Sequence, residues 1–219
     1  MIEALEIQKS YGLKVKTKAL DGFSYRFEEG RVYGVVGPSG SGKTTLLYVL
    51  SGIEVPDRGE VIFMGKGLFS INEKERRDIR KRYFGFVFQH FYLIPYLNAA
   101  ENVMLGQYIK AGKTDKAEAL KILESLGIND PYKKPYEYSG GEQQRIAIAR
   151  ALAGNPKVIF ADEPTGNLDT ENSKRVFSVL YDLAKDGRVV ILATHDVENL
   201  KADVVIRLRD GKILETYQP

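Results

Sequence analysis

Two groups of residues in this chain have the types and spacing to handle a triphosphate. The first is Gly37-Pro38-Ser39-Gly40-Ser41-Gly42-Lys43-Thr44-Thr45, which has the Walker A spacing. Glycines let the backbone curl until successive N–H groups point inward at phosphate oxygens, and a helix beginning near Lys43 adds the positive end of its dipole. Lys43 is placed to reach the β- and γ-phosphates, and the Thr44 hydroxyl to ligate Mg²⁺. The second group is Asp162-Glu163, which closes the apolar run Val158-Ile159-Phe160-Ala161. Ligands gather at the carboxyl ends of strands in an open parallel sheet, so these acids should face the glycine-rich loop. Neighbours on a strand point to opposite sides. That allows Asp162 to help hold the Mg²⁺ shell while Glu163 orients or deprotonates an attacking water.

A third group has the makings of a second anion site. Ser139-Gly140-Gly141-Glu142-Gln143-Gln144-Arg145 precedes the strong helix former Ile146-Ala147-Ile148-Ala149-Arg150-Ala151-Leu152. Ser139 is the natural N-cap, and the two glycines leave the first turn's N–H groups bare.

The elements that must position these groups follow from periodicity. Ala4 to Ser10, Leu20 to Phe27 and Glu60 to Met64 read as strands, the last after the turn Pro56-Asp57-Arg58-Gly59, and they suit an antiparallel sheet. Arg31 to Val36 is the strand that feeds the glycine-rich loop, and its helix should stop near Ser51-Gly52. Phe84-Gly85-Phe86-Val87-Phe88 is apolar on both faces, as a strand buried in a parallel sheet would be, and it ends at Gln89. From Gln89 to about Gly154 the texture is helical: Leu120, Leu123 and Leu126 recur at threefold spacing before Gly127. The strands Val158 to Ala161 and Arg188 to Thr194, with an amphipathic helix from Thr170 to Lys185 between them, predict a right-handed parallel crossover. Val204 to Leu208 and Lys212 to Glu215 around Asp210-Gly211 predict a closing hairpin.

The totals narrow the class. A chain of 219 residues with 43% hydrophobic and 28% charged residues can bury a real core. No cysteine excludes disulfide, thiol and zinc-thiolate chemistry. The start Met1-Ile2-Glu3-Ala4 lacks a basic segment leading into an apolar one, and no apolar run reaches bilayer length, so the chain is not expected to enter a membrane alone. A net charge of +3 is too small to argue for nucleic acid. The basic stretch Lys74 to Arg82 is interleaved with Glu75 and Asp78 and preceded by Glu73, which suits a solvated helix face.

The string Tyr138 to Arg145 resembles the signature of ATP-binding cassette proteins, and the resemblance runs from Tyr11 to His195. It implies an α/β fold: a P-loop NTPase core with a mostly parallel sheet, an N-terminal antiparallel β-subdomain and an inserted helical subdomain. It also implies a single ATPase domain over residues 1–219, with the helical insertion at about 90–154. By this resemblance Tyr11 stacks on adenine, Gln89 touches Mg²⁺ and the attacking water, and Asn167-Leu168-Asp169 forms the loop that crosses between subunits. His195 contacts the γ-phosphate. Gly37 to Thr45 and Ser139 to Glu142 (Ser139, Gly140, Gly141, Glu142) with Asp169 are the implied ATP contacts; Glu163, His195 and Gln89 are the implied catalytic residues; and Thr44, Gln89 and Asp162 are the implied Mg²⁺ ligands. Tyr138 stands where leucine is common in the family, which leaves its local packing to be found.

In such proteins the signature of one subunit completes the nucleotide site of another. One glycine-rich loop and one signature therefore imply an ATP-dependent homodimer or pairing with a related ATPase subunit. The motion is expected to drive separate transmembrane permease subunits, which would hold this chain at the inner face of the cell membrane. The strings Gly85-Phe86-Val87-Phe88-Gln89, Leu93-Ile94-Pro95 and Glu101-Asn102-Val103 are similar to the lipoprotein-release, macrolide-efflux and cell-division branch. A cassette acting on nucleic acid or the ribosome is the alternative; its long coiled-coil insertion or second cassette is not in this sequence, so no nucleic acid is expected. A small-molecule kinase would leave Ser139 and His195 unexplained. The apolar run from Phe91 to Tyr96 is open to two readings, burial within the helical section or a surface groove that receives permease helices.

Overall fold

The computed structural model describes residues 2–12 and 16–219; Met1, part of the N-terminal reading above, lies outside them. Strands β1 (Ile2–Tyr11), β2 (Thr17–Phe27), β4 (Arg58–Phe63) and β5 (Lys66–Gly67) form an antiparallel sheet in the order β2-β1-β4-β5. A second sheet takes β3 (Val32–Val36), β6 (Phe84–Phe88), β7 (Val158–Asp162), β8 (Val189–Thr194), β9 (Val204–Arg209) and β10 (Lys212–Tyr217) in the order β10-β9-β3-β8-β7-β6. Every ladder in it is parallel except the closing β9–β10 hairpin.

All residues of β3 and β8 are buried, which is why both read as unbroken apolar runs. Period-two alternation divides them between two cores. Tyr33, Val35, Val158, Phe160, Val189 and Ile191 join the core that includes α1 (Lys43–Leu50) and the antiparallel sheet. Val32, Ile159, Ala161, Val190 and Leu192 join a core with α3 (Ala99–Ala111), α4 (Lys116–Ser125), α5 (Gly140–Leu152) and α6 (Thr170–Lys185). The central strands are thus covered on both faces.

Strand β6 is parallel and mostly buried, as read, and it pairs with β7 alone at the sheet edge. Packing, rather than a second neighbouring strand, accounts for its apolar character. Phe84 meets Phe63 and Phe160 edge-on at 4.9 and 5.3 Å, while Phe86 stacks on Phe160 at 5.5 Å. Helix α2 (Glu73–Tyr83) and α5 pack beside this edge, so it is not open to edge-to-edge pairing along its length. Helix α2 itself buries no residue, and Glu73 pairs with both Arg76 and Arg80 along its surface. Among the described residues no helix is long and apolar enough to cross a membrane.

Candidate functional site

The site begins with a helix that lacks a cap. Helices α2, α3, α4, α5 and α6 each start at a side chain that accepts a hydrogen bond from their first turn: Asn72, Asn98, Asp115, Ser139 and Asp169. Helix α1 starts at Gly42, with no side-chain cap and no acid in its first turn. Its leading N–H groups and its dipole are left to the adjoining loop. Gly42 is in the left-handed region at φ 103°, and a Cβ there would lie 2.1 Å from the carbonyl oxygen of Ala19. Only glycine fits that position.

Around this helix end lies a cavity of about 770 Å³ lined by Tyr11, Ala19, Ser39, Gly40, Gly42, Lys43, Thr44, Thr45, Gln89, Glu163 and His195. The structure therefore gathers residues that are far apart in sequence around one space. Gly37 and Pro38 line an adjoining cavity with His195, and Ser41 is buried behind the loop. The Lys43 side chain is nearly fully buried, with its amine donating to the carbonyls of Gly37 at 2.8 Å and Pro38 at 3.1 Å. Tyr11 is 44% exposed, with the Lys9 amine 5.3 Å from its ring centre.

The carboxylates arrive from the sheet. In the parallel β6–β7 ladder Phe88 pairs with Asp162, so Gln89 and Glu163 leave neighbouring strands at the same level. Asp162 accepts a 3.0 Å hydrogen bond from the Thr44 hydroxyl. Burial pushes its carboxyl above the usual carboxylate range; the Thr44 bond works against that, the charge of Glu163 adds to it, and the charge of Lys43 counters it.

Glu163 is aimed by the backbone rather than by strand alternation. The strand ends at Asp162, and Glu163 adopts φ 47°, a left-handed conformation that costs a β-carbon residue on the order of 1 kcal/mol. Its N–H donates to Ala193 at 2.8 Å. Its Oε2 lies 2.9 Å from His195 Nδ1, and Oε1 lies 4.0 Å from the Lys43 amine. Beyond His195 the chain turns, and Asp196 accepts from the Asn199 N–H at 3.2 Å.

The Ser139 segment is elsewhere. None of Ser139, Gly140, Gly141, Glu142 or Asp169 lines the cavity around Lys43. Ser139 caps α5 as expected, but its own N–H and hydroxyl are engaged: Glu142 Oε2 accepts from both, at 2.9 and 2.6 Å. Those two bonds hold the Glu142 carboxyl below its usual range. A Cβ on Gly141 would fall 2.3 Å from Asn172 Oδ1; Asn172 in turn donates to Asp169, the cap of α6. A bridge joins this cluster to the cavity. Gln89 Nε2 donates to Asn167 Oδ1 at 3.4 Å, and Asn167 Nδ2 donates to the Gln89 carbonyl at 3.2 Å.

Tyr138 is buried, and its hydroxyl donates to the carbonyl of Asp130. Burial pushes that hydroxyl up to about 12. The aromatic therefore fills an apolar niche and ties the start of α5 to the preceding turn. Tyr138→Phe should lower stability by about 1 kcal/mol, the worth of one hydrogen bond with its acceptor left behind, seen as a lower urea midpoint at unchanged slope. Because the folded state holds this proton more tightly, the wild-type advantage is full below the unfolded value near 10 and is lost as pH rises through about 12.

The run after Gln89 is mostly outward. Tyr92, Ile94 and Tyr96 are exposed, Leu93 packs on the core, and Asn102 pins the loop by accepting from the Ile94 N–H and donating to the carbonyls of Ile94, Leu97 and Asn98. Sequence reasoning missed Ala19, whose carbonyl backs Gly42, and two residues of α5. Gln144 is fully buried and donates to the carbonyls of Phe88 and Pro164; Arg150 donates to those of Phe91 and Tyr92. The available signal was a polar side chain on the apolar face of a helix.

Comparison with known proteins adds the family. A family model described as ABC transporter matches residues 20–166. The chain is 44% identical to the lipoprotein-releasing system ATP-binding protein LolD of Aquifex aeolicus, over 89% of each. It is 41% identical to the macrolide export ATP-binding/permease protein MacB of Chlorobaculum tepidum, over 98% of this chain and 34% of that one, so it spans about a third of MacB. A dimeric ATP-binding cassette solved in a post-hydrolysis state with ADP and Pi superposes with a TM-score of 0.90 at 34% identity, covering all of this chain and 98% of that one. The family match, the identity to LolD and the superposition together show that the chain belongs to the ABC transporter family as an ATP-binding cassette.

Proposed function

We propose that this cassette hydrolyses ATP in a site completed by a second copy or a related subunit, and that the closing and opening of the pair drives separate transmembrane permease subunits. The observation that carries this reading is the separation just described. The cavity around Lys43 and the Ser139 helix end are two anion-directed places in one chain, and they do not face a common space. A second chain resolves that. Its Ser139 segment would approach the γ-phosphate from the side opposite the loop, adding N–H groups and a helix dipole to a phosphate already held. ATP and ADP then differ in affinity for the closed state, and that difference is what moves the pair.

Within one site the roles follow the geometry. The bare start of α1 and the Lys43 amine bind the phosphates, and Tyr11, exposed at the rim, stacks on the base. Glu163 takes the proton of the attacking water; His195, bonded to it through Nδ1, keeps the carboxylate turned toward the cavity and can reach the γ-phosphate. Gln89 positions the same water and couples it to Asn167. The residues also fit Mg²⁺. Thr44 lines the cavity and its hydroxyl donates to Asp162 at 3.0 Å, which sets two hard oxygen donors side by side, and Gln89 lines the same space. Mg²⁺ keeps several waters and takes one or two protein oxygens beside the phosphates, a demand that these side chains can meet. When bound, Mg²⁺ would neutralise charge on the β- and γ-oxygens.

The likeness to LolD and MacB supports a partner of the lipoprotein-release or macrolide-efflux type. On this reading the whole chain works as one ATPase domain, the helical part over about 90–154 meets the permease through the exposed surface after Gln89, and the chain is held at the inner face of the cell membrane by that partner. Ser139→Arg tests the shared site. Its bulk and charge should block the approach of the second chain while leaving the Lys43 cavity intact. ATP affinity by calorimetry should stay within about threefold while turnover falls by roughly 10²-fold or more, as on losing transition-state donors. Normal turnover would reduce Ser139 to a helix cap.

A further inference from the structure

We infer that Gln144 is a positioning residue that sets Glu163 and Gln89 relative to each other; the inference rests on the roles proposed above for those two. The β6–β7 ladder fixes spacing only as far as Phe88 and Asp162. The next residue on each strand is the one with chemistry to do, and beyond that point the strands no longer hold each other. Gln144 takes over there. Its Nε2 donates to the Phe88 carbonyl at 3.2 Å, just before Gln89, and to the Pro164 carbonyl at 2.7 Å, just after Glu163. Both neighbours are carbonyls, so the amide must present its NH₂ group and commits both hydrogens.

The arrangement carries a cost. Gln144 is wholly buried, and its Oε1 has no hydrogen-bond partner among the described residues, which is unfavourable in an apolar setting. An apolar residue would pack at this position without that orphan but would strip the Phe88 and Pro164 carbonyls of these bonds and leave the longer Gln89–Asn167 pair to tie the two strand ends. The same helix also grips the chain beyond Gln89. Arg150 donates to the carbonyls of Phe91 and Tyr92, and Tyr92 is held at φ 47°. Helix α5, which begins at Ser139, thus holds the backbone on both sides of Gln89 and the backbone after Glu163. A shift of α5 would be transmitted to the base and to its water-positioning partner through one amide.

The test uses Gln144→Met, which keeps length and removes the donors, and Gln144→Asn, which keeps the amide but is one methylene too short to reach both carbonyls. Each is measured for ATP affinity by calorimetry and for single-turnover hydrolysis, alone and combined with Glu163→Gln. The expected result is an ATP Kd within about twofold of wild type and a hydrolysis rate about 10- to 100-fold lower for Gln144→Met, with Gln144→Asn between. Combined with Glu163→Gln, Gln144→Met should add little further loss, since it acts through the same group. Wild-type rates in both single variants, a change confined to ATP affinity, or losses that multiply in the double variant would each overturn the inference while leaving the role of Glu163 standing. Undiminished hydrolysis by Glu163→Gln itself would overturn both. Should Gln144→Met fail to fold, Gln144→Asn decides by the same criteria.

Discussion

Glu163→Gln should leave ATP binding within a few-fold of wild type and cut hydrolysis by roughly 10²- to 10⁴-fold, the range a positioned general base contributes. A thousandfold is about 4 kcal/mol of transition-state stabilisation. The structure says why so conservative a change isolates chemistry from folding. Glutamine can occupy the same left-handed backbone position as Glu163, its amide oxygen can keep the contacts to the His195 N–H and Nδ1, and the backbone bond to Ala193 is untouched. What glutamine cannot do is accept a proton from water. Because every group that binds ATP survives, the variant should also accumulate as a closed pair. Light scattering with ATP should report about twice the monomer mass and, after ADP exchange, a return to monomer. A monomer under all nucleotide conditions would refute the shared site, and wild-type turnover would remove Glu163 as the base.

Lys43→Ala should act one step earlier, on binding. The ammonium is nearly fully buried at the start of α1, where it donates to the carbonyls of Gly37 and Pro38. It braces the loop and would turn to the phosphates when they arrive. Charge-assisted hydrogen bonds contribute about 1.5–3 kcal/mol each, so losing one or two should raise the ATP Kd by roughly 10²-fold at 1.36 kcal/mol per decade. Calorimetry in the Glu163→Gln background avoids turnover during the titration. Unchanged affinity would show that the helix end and loop N–H groups bind the phosphates unaided. Lys43→Arg is not a rescue, since the planar fork is longer and broader than an ammonium in a space this closed.

How far the sequence alone reaches depends on how local each device is. The glycine-rich loop, the Ser139 cap and the Asp169 cap are written in a few consecutive residues, and the strands β3, β7 and β8 announce themselves by unbroken apolar runs. The position of β6 is not local. An edge strand covered by helices and tied by aromatic stacking has the same composition as an interior one, and only the pairing of β6 with β7 alone reveals its place. The orientation of Glu163 was hidden for a different reason. Nothing about Glu-Pro marks the left-handed backbone at Glu163; it follows from the bond of the Glu163 N–H to Ala193 on the next strand. Gln144 was hidden by its company, since a helix of alanine and isoleucine reads as core and its one buried amide reads as background. The return of Glu142 onto Ser139 went unread although a serine followed three residues later by glutamate is the capping-box pattern; the two glycines drew the reading to bare N–H groups instead.

That capping box changes what dimer closure is. The donors at Ser139 are not waiting for a ligand; they already hold a carboxylate from their own chain. A γ-phosphate brought by a second subunit would therefore take part in an exchange, one anion displacing another. On the proposed shared site the hydrogen bonds gained would be offset by those released, and the driving force would be the difference between a multiply charged phosphate and a single carboxylate. ADP, with no γ group to offer, would leave Glu142 in its seat. The helix end would then act as a selector with its own resident competitor, its threshold set by residue 142 as much as by the nucleotide.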